Sequence, residues 1–239
     1  MGTAEVAADS LIKRLAACPT ATLCDAYIKS GLRRPETLVM KGVRPILSGS
    51  RVIVGRARTK QLVIVRDPER SSLVSDRELA FEHIDKAQPG DFLVVAAPRA
   101  QPYAIWGGHL TLQAAMRGAV GVVADGTTRD VGEIQRLEFP VWCRGVTPIP
   151  SGYAGYSSVG TNVTVTCAGV EVMAGDYVVA DQDGVIVVPQ EQVVAVLEVC
   201  EEMEAAEDEA RVNIEAGKTM LESYVSRSYY ANRGTDGRS

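Results

Sequence analysis

Phe92-Leu93-Val94-Val95-Ala96-Ala97 and Ala119-Val120-Gly121-Val122-Val123-Ala124 bracket the part of the chain that decides the fold. Both are short runs without a charged side chain, the composition of strands covered on both faces. Between them lie the glycine loop Gly107-Gly108-His109-Leu110 and a stretch over 110–117 at helical spacing, closed by Gly118. A strand, a helix and a second strand in that order predict a parallel unit, because parallel neighbours need a crossover. The second strand runs into Asp125-Gly126-Thr127-Thr128-Arg129-Asp130, which reads as a glycine turn setting an arginine beside an aspartate.

Working outward, residues 4–17 have helical spacing, with Leu11, Leu15 and Ala16 on one side. A second helix runs from Thr22 to Ser30, capped by Thr20 or Thr22 and stopped by Gly31. Arg51–Ala57 and Gln61–Val65 read as two strands, and residues 74–87 as a helix ending at the Gln88-Pro89-Gly90-Asp91 turn. Pro140-Val141-Trp142 leads another strand towards a turn at Pro148. Beyond residue 160, Asn162–Thr166, Val170–Val172, Tyr177–Ala180 and Val185–Val188 are short strands between glycine turns. Such density predicts a curled sheet or partial barrel. A long helix follows from about Gln190 to Ala216, rich in Glu and Ala and ended by Gly217. No repeat, low-complexity linker or composition break divides residues 1–239, so they read as one domain with its core at about 20–220 and a ragged tail after Tyr230.

A net charge of -5 argues against a protein held on nucleic acid by its phosphates. Cys18, Cys24, Cys143, Cys167 and Cys200 are dispersed with no CxxC pair, as reduced core thiols are. Charges or glycines interrupt every apolar segment before membrane-spanning length, and the first residues lack the pattern of a signal peptide. The expectation is a soluble, cytoplasmic protein with no nucleic-acid or membrane partner.

The chemistry concentrates at the glycine loop. A helix that opens on Gly107-Gly108 leaves backbone N–H groups unpaired at the positive end of its dipole, which suits a carboxylate or phosphate. Arginine offers a carboxylate or enolate oxygen a fork of donors, and aspartate holds a hard cation such as Mg²⁺. Gly107, Gly108, His109, Leu110, Arg129 and Asp130 therefore read as a site for a small keto acid and a metal. The plainer reading of Arg129-Asp130 is a surface ion pair of little worth; the glycine loop upstream favours the functional one. His109 either binds a carboxylate or moves a proton, or points to solvent while only its amide works, and the second reading is preferred. His83, within a helix, reads as structural. Tyr103 and Trp106 either wall the pocket or pack the core. The segment Glu198–Glu209 reads as a solvated helix face. A Walker A loop, a Gly-x-Ser-x-Gly elbow, HExxH and a methyl-donor glycine loop are all missing from the sequence, as is a lysine in the site segment for a Schiff base. A metal would then supply the electron sink.

The Gly107–Asp130 stretch resembles the signature of the HMG/CHA aldolase and RraA-like family, which includes class II pyruvate aldolases and regulators of ribonuclease activity. The resemblance extends to Cys24-Asp25-Ala26 with Gly31, to Gln88-Pro89-Gly90-Asp91, to Phe139 through Pro148, and to Gly175-Asp176 with Asp181 through Pro189. It implies an α/β protein of the swivelling β/β/α kind: a central barrel-like sheet flanked by helices, a long C-terminal helix, and assembly as homotrimers or hexamers with sites at subunit interfaces.

The same resemblance implies roles. Asp130 would be the direct protein ligand of Mg²⁺ or Mn²⁺. Arg129 would bind the keto oxygen of a pyruvyl unit and stabilise its enolate, while the amides near His109 and Leu110 hold its carboxylate. A glutamate on a neighbouring subunit's C-terminal helix would reach the metal's waters; Glu207 is the candidate, with Glu204 and Glu209 as alternatives. The implied activity is release of pyruvate from 4-hydroxy-4-methyl-2-oxoglutarate or 4-carboxy-4-hydroxy-2-oxoadipate. The chain departs from the pattern at Gly108, where the family's aldolases usually carry Asp or Glu. Oxaloacetate decarboxylation in place of aldol cleavage is one consequence of that departure. A non-catalytic regulator of ribonuclease activity is the third reading, and the retained Asp130 argues against it.

Overall fold

The computed structural model describes residues 10–49, 51–65, 67, 76–98, 102–151 and 156–224. Expectations for residues 4–9 and for the tail after Tyr230 lie outside them. Residues 10–15 are helical. The chain continues as α1 (Thr20–Ser30), β1 (Arg44–Pro45), β2 (Ile53–Ile64), α2 (Arg77–Asp85), β3 (Asp91–Ala96), β4 (Ala104–Trp106), α3 (Gly108–Met116), β5 (Gly121–Thr128), α4 (Val131–Arg136) and β6 (Val141–Val146). Then come β7 (Tyr156–Thr161), β8 (Val165–Cys167), β9 (Val170–Val172), β10 (Tyr177–Ala180), β11 (Val185–Val188), α5 (Val193–Glu215) and α6 (Met220–Tyr224).

One sheet carries the order β1-β6-β5-β3-β2-β10-β11, with β4 added to β5 and β7 to β2, while β8 and β9 form a separate hairpin. The centre is parallel: β2 with β3, β3 with β5, and β5 with both β4 and β6. Both ends are antiparallel. The curled, mixed sheet flanked by helices, with a long C-terminal helix, is the expected fold.

Period-two alternation explains why the strands are apolar throughout. Phe92, Val94 and Ala96 of β3 face a core shared with Val123, Trp142, Val178, Val185 and the β8–β9 hairpin. Leu93 and Val95 face the opposite core, beneath α2, α3 and α4, with Val122, Ala124 and Ile134. Tyr177, Val179, Ile186 and Val188 turn to a third core, where α1 and α5 supply Leu23, Tyr27, Val196 and Leu197. β3, β10 and β11 are buried on both faces, so their sequences have no polar side to show.

Several boundaries differ from the sequence reading, each for a tertiary reason. Arg51–Ala57 and Gln61–Val65 are not two strands but the single β2, which pairs with β10 at its start and with β7 at its end, across an irregularity at Gln61/Leu62. Of Asn162–Thr166, only Val165 and Thr166 are strand, at the start of β8; residues 162–164 turn the chain from β7, with Asn162 at φ 53. Neither Thr20 nor Thr22 caps α1: Pro19 stands at the cap, and Thr20 gives its backbone N–H and hydroxyl to Asp181 at 2.8 and 2.7 Å. Gly31, at φ 67, does end the helix. Asp125-Gly126 is no turn; β5 runs through it to Thr128, with a shift in pairing to β6 between Ala124 and Thr127. β4 approaches so closely there that a Cβ on Gly126 would stand 2.8 Å from Ile105 Cδ1, and glycine marks that contact rather than a bend.

Candidate active site

The C-terminal ends of β4 and β5 place the site, as open parallel sheets generally do. β4 ends at Trp106 and β5 at Thr128, and these two residues are paired, just past an irregularity between Ala104 and Trp106. The Arg129 backbone N–H donates to the Trp106 carbonyl at 3.1 Å, so the chain leaving β5 is clamped against the start of α3. Gly107 is the N-cap of α3, and the helix begins at Gly108, two residues before the sequence reading placed it. The Gly107 carbonyl accepts from the Thr111 hydroxyl at 2.9 Å, and that hydroxyl accepts from the Trp106 indole at 2.8 Å. Trp106 is therefore a fixed wall. Tyr103 packs against the same core as Trp106, and its carbonyl accepts from the Thr127 hydroxyl.

Arg129 and Asp130 project over this helix start. A Cβ on Gly107 would lie 2.9 Å from Asp130 Oδ2 and 3.2 Å from Arg129 Cγ, so only glycine admits the pair so close. Asp130 Oδ2 accepts the Gly108 N–H at 3.1 Å and lies 3.3 Å from Arg129 Nε. Both side chains remain about two-fifths exposed, at 41 and 40%. Asp130 sits in the left-handed region at φ 59, ψ 38 and starts α4, its carbonyl accepting from the N–H groups of Glu133 and Ile134. Asparagine and aspartate tolerate that geometry better than other non-glycine residues.

The first-turn N–H groups of a helix have no partner within it. Since Asp130 takes that of Gly108, those of His109 and Leu110 are left facing a cleft of about 380 Å³ lined by Gly107, Gly108, His109, Leu110, Arg129, Asp130 and Glu133. His109 is exposed at its rim. No lysine lines it among the described residues.

Glu133 is the residue that sequence reasoning missed. Its carboxylate occupies the space in front of Gly108: a Cβ at that position would overlap Glu133 Oε2. The acid absent from position 108 of the chain is thus present in space, delivered from α4. The signal was available, because Glu133 follows Asp130 at i+3 and shares its helix face. Asp130 and Glu133 bring two carboxylates to one cleft. Among the described residues no three His, Cys, Asp or Glu side chains form a cluster fit to cage a metal. Two hard oxygen ligands suit a cation that keeps most of its waters, as Mg²⁺ does.

Of the residues expected at the site, Gly107, Gly108, His109, Leu110, Arg129 and Asp130 are brought together. Glu204, Glu207 and Glu209 lie on α5, which packs on α1, and none lines this cleft within the chain. His83 is fully buried on α2, its Nε2 2.7 Å from the Arg58 carbonyl, and burial holds its pKa down near 3. Among the described residues no helix is long and apolar enough to cross a membrane.

The chain has counterparts among known proteins. The model of the RraA-like family, described as Aldolase/RraA, matches residues 20–187, and the chain belongs to that family. It is 31% identical over 233 residues to a Halalkalibacterium halodurans protein provisionally named a 4-hydroxy-4-methyl-2-oxoglutarate aldolase, covering 95% of this chain and 100% of the relative. A Streptomyces coelicolor structure, titled as an unusual member of the RNase ES inhibitor RraA protein family, is similar at TM-score 0.74 and 28% identity, over 84% of this chain and 96% of that one. A Pseudomonas syringae protein without an assigned role shares the fold at TM-score 0.78 and 23% identity, over 92% and 94% of the two chains.

Proposed function

We propose that this protein is a lyase, dependent on Mg²⁺ or Mn²⁺, that cleaves a C–C bond of a small 2-oxo acid and releases pyruvate. The observation that carries the reading is the convergence of Asp130, Glu133 and Arg129 on the free amides that open α3. The naming of relatives as 4-hydroxy-4-methyl-2-oxoglutarate aldolases supports it.

Asp130 and Glu133 would hold the cation, and Glu207 from a neighbouring subunit of a trimer or hexamer would complete its surroundings. The cation, when bound, supplies the Lewis acidity that a Schiff-base lysine supplies elsewhere. The His109 and Leu110 amides and the positive end of α3 bind the pyruvyl carboxylate. Arg129 donates to the keto oxygen and stabilises the negative charge that grows there as the bond breaks. The distal hydroxyl gives its proton to solvent, its oxygen becomes the carbonyl of the departing fragment as the adjacent C–C bond breaks, that bond's electron pair enters the pyruvate enolate, and a proton returned from solvent to that carbon gives pyruvate. Oxaloacetate meets the same site: loss of CO₂ leaves the same enolate with no hydroxyl to deprotonate.

The test is pyruvate release from 4-hydroxy-4-methyl-2-oxoglutarate, 4-carboxy-4-hydroxy-2-oxoadipate and oxaloacetate, with Mg²⁺ or Mn²⁺ and with chelator. Metal-dependent release supports the reading, and the relative rates separate aldolase from decarboxylase. Folded protein that releases pyruvate from none of the three overturns it. Inhibition of a ribonuclease that survives Asp130→Asn would instead favour a regulator.

A further inference from the structure

Arg58 and Lys60 stand two residues apart on β2, hence on one face of it, and meet α2 on different terms. Arg58 donates to the carbonyls of His83 and Glu82 at 2.7 and 3.5 Å, at the negative end of the α2 dipole. Lys60 gives one N–H to the Ala80 carbonyl at 2.6 Å. An ammonium has three donors, so two remain. Among the described residues no carboxylate lies within ion-pair distance of it, and burial alone pulls its pKa down to about 8. His83 has the converse lack. The Arg58 carbonyl, 2.7 Å from Nε2, can only accept, so the neutral ring carries its proton there and Nδ1 is a bare lone pair. That Nδ1 is buried without a partner, a costly state for a polar atom.

Lys60 and His83 line one hollow of about 70 Å³, otherwise walled largely by apolar groups such as Leu62, Phe81 and Ile84. Its volume is several times the ~10–15 Å³ that admits one water. The hollow thus offers a positive charge without a counter-ion, two open donors and one open acceptor. Water serves the acceptor but brings no charge, and chloride or nitrate brings the charge but no donor. An oxyanion that keeps one O–H brings both. We propose that this hollow binds hydrogencarbonate, whose charged oxygens accept from Lys60 while its hydroxyl donates to His83 Nδ1. Four heavy atoms suit the space, and the ligand is held without covalent change. Ile105 and Trp106 line both the hollow and the active-site cleft, but the site needs no passage between the two and is independent of the reading under Proposed function.

The test is calorimetric titration of the intact protein at neutral pH with sodium hydrogencarbonate, nitrate and chloride at matched ionic strength. Wild type takes up one hydrogencarbonate per chain, at least about tenfold more tightly than either other anion, which corresponds to ~1.4 kcal/mol. Lys60→Met loses that binding. His83→Phe loses the preference and treats the three anions alike. Carbon-13 NMR with labelled hydrogencarbonate shows a bound signal that unlabelled ligand displaces. No uptake by wild type, nitrate or chloride bound as tightly, or binding unchanged in Lys60→Met overturns the assignment. So does a carbamate signal, which would mean covalent capture by the Lys60 amine. The comparison of anions on wild type needs no variant, so a Lys60→Met chain that fails to fold does not shelter the proposal.

Discussion

Two aspartate–arginine pairs stand at the end of β5, and they have opposite characters. Asp125 pairs with Arg144 of β6 at 4 and 24% side-chain exposure, and its second oxygen accepts the Ala168 N–H at 2.6 Å. Asp130 pairs with Arg129 at a looser 3.3 Å, with both side chains open to the cleft, and its second contact is the first amide of α3. The first pair is enclosed and ties β5 and β6 to the hairpin that closes one core. The second is held in place but not consumed by its partners. A pair whose carboxylate has both oxygens taken has nothing left there for a ligand. One that is part-exposed, strained in backbone and seated on free amides has.

The sharpest way to break this contrast is Asp130→Asn, which keeps the left-handed backbone acceptable and removes the anionic ligand. We expect kcat to fall by ~10³-fold or more, since losing several kcal/mol of charge stabilisation costs about a factor of ten per 1.36 kcal/mol. The melting temperature stays within a few degrees, by calorimetry. If Asp130→Asn turns over normally, the exposed pair is ornamental and the contrast is empty.

Asp125→Asn should do the reverse. It strands a largely buried guanidinium, and breaking such a pair costs about 3–5 kcal/mol; the partial exposure of Arg144 favours the lower end. Urea unfolding reads the loss, while activity per folded molecule changes little. A smaller effect sharpens the contrast further. Glu133→Ala is expected to weaken metal affinity ~10–100-fold, and adding Gly108→Asp in the same chain should restore most of it. Gly108→Ala alone should weaken it, because the new Cβ takes the space of the Glu133 carboxylate. Rescue failing in the double variant would mean that the two acids do not serve one purpose.

The smallest effect concerns pH. The pKa of His83 is lowered in the fold to about 3, so between there and its unfolded value near 6.5 the unfolded chain binds more protons. Stability is then present above that unfolded value and is lost as pH falls, by about 1 kcal/mol between pH 6.5 and 5.5. His83→Gln should flatten this slope in thermal melts.

Much of the parallel centre was legible because both cues agreed: apolar runs of strand length, and a glycine-opened helix between them. β10 and β11 were equally plain. What was hidden depended on contacts remote in sequence. Asp125-Gly126 has the composition of a turn, yet three neighbouring strands keep it extended. β4 is too short to be seen without its partner. Thr20 looked like a cap because nothing local reveals that Asp181 takes both its donors. At the site, Arg129, Asp130 and the glycines were readable from chemistry and order. Glu133 supplies in space the acid missing from chain position 108, so chain order alone does not show it.

The clamp between the Arg129 N–H and the Trp106 carbonyl is the last tie of β5 to its neighbour before the chain turns outward. Everything beneath it, including the Asp125–Arg144 anchor, is secured without help from the tip at residues 129–133. Such an arrangement separates the scaffold from its working end. Lineages carrying this fold are free to trade the tip for other chemistries, or to blunt it altogether, while the body beneath survives the exchange.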